Sequence, residues 1–100
     1  LQVLADCVAA AQGLPVVCDS GFRRGTDVLK ALALGASFVF VGRPFLYGAA
    51  VAGEAGVGHA IGLLQAEIER DLALLGCTRI PVIEETVREA RPNSCVSMSV

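Results

Sequence analysis

Two arginines placed just beyond short apolar runs carry the chemistry open to this chain. Arg23 lies in Asp19-Ser20-Gly21-Phe22-Arg23-Arg24-Gly25-Thr26-Asp27, directly after the run Val16-Val17-Cys18. Arg43 lies in Gly42-Arg43-Pro44, directly after Phe38-Val39-Phe40-Val41. A guanidinium is a rigid fork of donors suited to an oxyanion. Gly21, Gly25 and Gly42 have no Cβ to hold a ligand away from the backbone. A helix starting after each loop adds unpaired N–H groups and a partial positive charge. The pattern predicts one phosphate site shared by the two loops. Asp19, a carboxylate at a strand end, is a further functional candidate.

The elements that must position these loops follow from the hydrophobic spacing. Residues 1–12 carry Leu1, Leu4, Ala5, Val8 and Ala11 at helical intervals, with Gly13 and Pro15 as terminators. No capping signal precedes Leu1, so this pattern is expected to continue from earlier sequence. Residues 16–19 and 38–41 read as short strands covered on both faces, as in a parallel sheet. Between them Thr26 is the expected N-cap of a helix, with Asp27 in its first turn and Gly35 as its left-handed terminator. Pro44 suits the first turn of a helix over 45–52. Val57, Ile61, Leu64, Ile68, Leu72 and Leu75 form the stripe of an amphipathic outer helix over 54–75, with Glu67 and Glu69 on its solvated face. A short helix over 83–90 and a loose tail over 91–100 complete the reading.

Adjacent parallel strands lie about 4.8 Å apart, so their C-terminal loops open on one edge. In (β/α)₈ barrels a phosphate site commonly follows strands 7 and 8, beside the N-terminus of a short helix. The predicted fold is therefore α/β: the C-terminal quarter of such a barrel, with residues 1–90 in it and 91–100 outside. By itself this quarter would leave both sheet edges open.

Composition agrees with a chain enclosed by more protein. The 100 residues are 54 % apolar and 18 % charged, against ~45–50 % and ~25 % in ordinary domains. A formal charge of −2 and five aromatics argue against a nucleic-acid partner. Cys7, Cys18, Cys77 and Cys95 lack metal-site spacing; the first three are expected as small buried hydrophobes and Cys95 as exposed. No secretory leader or spanning segment is evident, which predicts a cytoplasmic location. His59, Lys30 and Arg24 are expected at the surface, Arg24 in an outward ion pair.

The run from Asp19 through Ala36, together with Val41-Gly42-Arg43-Pro44, Gly53-Glu54-Ala55-Gly56-Val57 and Leu74-Leu75-Gly76-Cys77, resembles the FMN-dependent α-hydroxy-acid dehydrogenases. That family includes glycolate oxidase and the flavin-type lactate and mandelate enzymes. The resemblance implies FMN as cofactor. It implies FMN-binding roles for Asp19, Ser20, Gly21, Phe22, Arg23, Gly42 and Arg43, with the two arginines on the phosphate. It implies oxidation of a small L-2-hydroxy acid to the 2-oxo acid, a homo-oligomer (tetramer or higher), and attachment at the inner membrane face as a second location. The family's catalytic histidine stands in an S-N-H-G-G-R run upstream of the matched region. This chain contains no such run, so no catalytic residue is assigned within it. The family usually has Gly-Gly after the aspartate, where this chain has Ser20-Gly21. Two alternatives share the turn chemistry: a phosphate-binding segment of an IMP-dehydrogenase-like or isopentenyl-diphosphate-isomerase-like barrel, and an inactive fragment.

Overall fold

The computed structural model describes residues 1–78. The expected helix over 83–90, the tail over 91–100 and Cys95 lie outside the described residues. In order, the elements are α1 (Leu4–Ala10), β1 (Val17–Cys18), α2 (Gly25–Ala33), β2 (Phe38–Val39) and α3 (Arg43–Leu74). The strands pair in parallel, Val17 opposite Phe38 and Cys18 opposite Val39. Bonds from the Ser37 N–H to the Val16 carbonyl and from the Phe40 N–H to the Cys18 carbonyl, both 2.8 Å, extend the pairing. Helix α2 is the crossover that parallel pairing requires.

Alternation along the strands decides what they touch. Val16, Cys18, Val39 and Val41 pack on a cluster of Leu4, Phe22, Ala31 and Ala36, joined by Val8 and Val28. The opposite face is open: Val17, Phe38 and Phe40 are 50, 56 and 55 % exposed. The expectation of strands buried on both faces is thus corrected to burial on one. The reason is that α1 and α2 cover a single side of the pair.

Helix α2 ends as its sequence requires. Gly35, at φ 104°, lets its own N–H reach the Leu32 carbonyl and the Ala36 N–H reach the Ala31 carbonyl, both at 3.1 Å. This double bond closes the last turn, and Ala36 packs back on Ala31. The same arrangement ends α3, with Gly76 at φ 71° and Cys77 bonded to and packed near Leu72. Helix α3 breaks at Ala52 and Gly53, whose dihedrals leave the helical region. Its two arms match the two helices read from the sequence. The second arm brings Ile68 and Leu72 against Leu29, Ala33 and Cys77, so this part of the predicted stripe faces α2, while Ile61 and Leu75 are 40 and 52 % exposed. Among the cysteines, Cys77 is buried and Cys18 half-buried, but Cys7 is exposed. That corrects the expectation for Cys7, which lies on the uncovered side of a seven-residue helix.

Candidate anion site between the two strand tips

The loops after β1 and β2 meet over a cavity of about 240 Å³. Its walls are Asp19, Ser20, Gly21, Phe22, Arg23, Phe40, Gly42, Arg43 and Leu46. All seven residues singled out in the sequence are in that set, and Arg23 and Arg43 both line it. A larger opening of about 470 Å³ adjoins it along β1, lined by Val16, Val17, Cys18 and again by Asp19 to Phe22. The stretch 19–22 therefore lines both the cavity that holds Arg23 and Arg43 and the opening along β1.

The first loop is conformationally demanding. Ser20 and Gly21 both hold φ at 82°, a region that a residue with a Cβ enters only at a cost. Ser20 is held there in part by its own N–H, which donates to Asp19 Oδ1 at 2.7 Å. Phe22 does not offer its ring to a ligand. The side chain is 7 % exposed and belongs to the core with Leu4, Ala31 and Ala36. Packed in that core, it anchors the loop to the sheet.

Two corrections concern the start of α2. The N-cap is Arg24, not Thr26. Asp27 Oδ2 accepts from the N–H groups of Arg24, at 3.1 Å, and Arg23, at 3.3 Å, so the helix is closed two residues earlier than expected. Gly25 does not serve ligand approach. It is buried, and a Cβ there would lie 2.7 Å from Glu67 Cβ and 2.8 Å from the Ile68 nitrogen. Its lack of a side chain lets α2 and the second arm of α3 come together.

Glu67 is likewise not on a solvated face. It is half-buried: Oε1 lies 2.8 Å from Arg24 Nη2, and Oε2 accepts from Arg24 Nε at 3.1 Å and from the Gly25 N–H at 2.8 Å. The Gly25 N–H and then Arg24 hold the Glu67 carboxyl below its usual range, and Glu67 in turn raises the Arg24 guanidinium. Arg24 is thereby in the ion pair expected for it. Periodicity could not reveal the role of Glu67, because its partners lie 42 and 43 residues away.

The second loop is different. Helix α3 starts at Arg43 with Gly42 as N-cap and no side-chain cap, and with Pro44 in its first turn. The Gly42 carbonyl accepts from Phe45 and Leu46. Among the described residues nothing accepts from the N–H of Gly42 or Arg43. A Cβ on Gly42 would meet open space. His59 is exposed on the second arm of α3 and is not part of the cavity wall. No group of three potential metal ligands occurs among the described residues, and none of their helices is long and apolar enough to cross a membrane.

Comparison with known proteins follows the same loops. Residues 1–89 match the family model described as FMN-dependent dehydrogenase. The chain is 55 % identical over 84 residues to glycolate oxidase 2 of Oryza sativa subsp. indica, covering 83 % of this chain and 23 % of that protein. It is 55 % identical over 80 residues to (S)-mandelate dehydrogenase of Pseudomonas putida, covering 80 % of this chain and 20 % of that protein. A crystal structure of an active chimera of (S)-mandelate dehydrogenase superposes with a TM-score of 0.77 at 54 % identity, covering 82 % of this chain and 23 % of the other. A mandelate oxidase variant carrying a monooxide FMN adduct superposes with a TM-score of 0.76 at 44 % identity, covering 81 % of this chain and 26 % of the other. The chain thus spans about a quarter of the length of the relatives it matches. With the family model covering nearly all of it, this chain belongs to the FMN-dependent dehydrogenase family.

Proposed function

We propose that this chain is the phosphate-holding C-terminal quarter of an FMN-dependent (β/α)₈ barrel that oxidises a small L-2-hydroxy acid to the 2-oxo acid. One observation carries the reading: Arg23 and Arg43, from loops after adjacent parallel strands, line one cavity with Gly21 and Gly42. In this reading the FMN phosphate sits at the open N-terminus of α3, where the N–H groups of Gly42 and Arg43 meet it. The guanidinium groups of Arg23 and Arg43 neutralise its charge. Asp19 and Ser20, shared by the two cavities, face the ribityl chain as it leaves the phosphate. Bound there, the flavin accepts the two electrons that the hydroxy acid gives up.

The rest of the catalytic apparatus, including the histidine of the family's S-N-H-G-G-R run, belongs to barrel sequence outside these 100 residues. The open sheet face supports that division. Val17, Phe38 and Phe40 expose apolar surface of the kind that fills a barrel interior. In this proposal the barrel segment takes in the described residues 1–78, and its boundary near residue 90 lies outside them. The family resemblance supports a homo-oligomer, tetramer or higher. For location we favour the cytoplasm or the inner membrane face; one structural relative is described as a soluble mutant of a membrane-associated (S)-mandelate dehydrogenase. The test is anaerobic addition of glycolate, L-lactate and (S)-mandelate to the purified holoprotein. Bleaching of the visible flavin band by one of them is expected. A protein that carries no flavin, or a flavin that none of the three reduces, overturns the proposal.

A further inference from the structure

We infer that Glu67 is a positioning residue that sorts the adjacent arginines, locking Arg24 into the scaffold and leaving Arg23 for the cofactor phosphate. The inference rests on the phosphate reading above. Arg23 and Arg24 are neighbours of equal charge at the same helix start, so the sequence alone does not separate their roles. The structure does. Both oxygens of Glu67 are taken up by Arg24 and the Gly25 N–H, at 2.8 to 3.1 Å. Arg23 makes no ion pair among the described residues and lines the anion cavity.

Arg23 also borders a second cavity of about 160 Å³, with Pro44, Phe45, Ala60, Leu63, Leu64 and Glu67 as its other walls. Glu67 is therefore near enough to compete for Arg23 if it were not occupied. Its engagement with Arg24 satisfies its charge, and its bond to Gly25 fixes the end of the loop that carries Arg23. Gly25 completes the arrangement: only a residue without a Cβ admits the Glu67 backbone so close to α2. The outer helix thus sets the phosphate loop through one carboxylate, and Glu67 itself never touches the ligand.

The experiment compares FMN with riboflavin, which lacks the phosphate, in titrations of the flavin-stripped protein. Glu67→Ala should lower the ratio of FMN to riboflavin affinity by about twofold to tenfold, with riboflavin affinity unchanged. Glu67→Gln keeps an acceptor for the Gly25 N–H and should fall between the wild type and Glu67→Ala; it also serves if Glu67→Ala fails to fold. In an Arg23→Ala background, Glu67→Ala should change the ratio no further, because it acts through Arg23. Equal loss of both affinities, or loss of neither, while Arg43→Ala still lowers the ratio, overturns the role of Glu67 and leaves the phosphate reading standing. An unchanged ratio in Arg43→Ala overturns the phosphate reading itself.

Discussion

The two strand–loop–helix units share one sequence plan and use their helix starts in opposite ways. After β1, the N–H groups of Arg23 and Arg24 are bonded to Asp27, and that of Gly25 to Glu67. The dipole of α2 is met by two of the protein's own carboxylates. After β2, no side chain caps α3, and among the described residues nothing accepts from the N–H groups of Gly42 and Arg43, which line the cavity. A helix start already satisfied by carboxylates has little left for an external anion, while an uncapped one beside an arginine has both charge and donors to offer. Both units line the cavity, but only the second brings an uncapped helix start to it.

The largest expected effect tests that division. Arg43→Ala should cost FMN binding about 1.5–3 kcal/mol, one charge-assisted bond, or about 10- to 150-fold in Kd. Arg24→Ala removes no group that lines the cavity but leaves Glu67 without its partner, so it should cost less than Arg43→Ala, no more than the roughly twofold to tenfold expected of Glu67→Ala. Flavin fluorescence titration of the two variants separates them, and equal losses would erase the distinction between the units. The glycines give the next effect. Gly25→Ala drives a Cβ into the Glu67 backbone and should destabilise the fold by about 1–3 kcal/mol. Gly42→Ala meets open space at φ −114° and should stay within about 0.5 kcal/mol in urea unfolding. Its effect should appear in FMN affinity, where the added Cβ holds the phosphate off the N–H of residue 42. A stability loss at Gly42 matching that at Gly25 would show that the second loop is packed rather than open.

A smaller effect follows from the sealed helix start. The Glu67 carboxyl is held below its ordinary range, first by the Gly25 N–H and then by Arg24. Its folded-state pKa lies below its unfolded value, so the stabilisation is complete above the usual glutamate range, near pH ~4.3. It is lost as pH falls through the lowered value. Arg24 and Arg70 favour the ionised carboxylate, while Asp27 and Asp71 act on Arg24. Thermal midpoints followed into the acid range should fall more steeply for wild type than for Glu67→Gln. Parallel curves would mean that the pair contributes nothing to folding.

These contrasts show what the sequence disclosed and what it withheld. The two strands, the crossover helix, the helix-ending Gly35, the end of the outer helix near residue 75 and the break near Gly53 were legible because each depends on neighbours within a few residues. Seven of the nine residues that line the cavity were legible, because parallel strands carry their C-terminal loops to one edge; Phe40 and Leu46 were not singled out. Which helix start would be open was only partly legible: Asp27 is local to the N–H groups it binds, but Glu67, which takes the Gly25 N–H, lies far along the chain. The expectation of solvent around Glu67 failed for the same reason: helical periodicity reports which face a residue is on, not which loop lies over that face. The exposed faces of Val17 and Phe38 were misread because alternation shows where apolar side chains point, not whether these elements cover both sides.

The finest distinction between the loops is conformational. Ser20 holds φ at 82°, and a left-handed conformation costs a residue with a Cβ roughly 1–2 kcal/mol. Replacing it with glycine removes that cost but adds freedom to the unfolded chain, worth about 0.4–1 kcal/mol in the other direction. Ser20→Gly should therefore stabilise the protein by about 0–1.6 kcal/mol, and Ser20→Ala, which keeps the Cβ, should bring no gain. At Gly42, whose φ any residue adopts, Gly42→Ser should be nearly neutral for folding. If Ser20→Ala stabilises as much as Ser20→Gly, the backbone at position 20 is not strained. The two loops would then differ only in how their helix starts are capped.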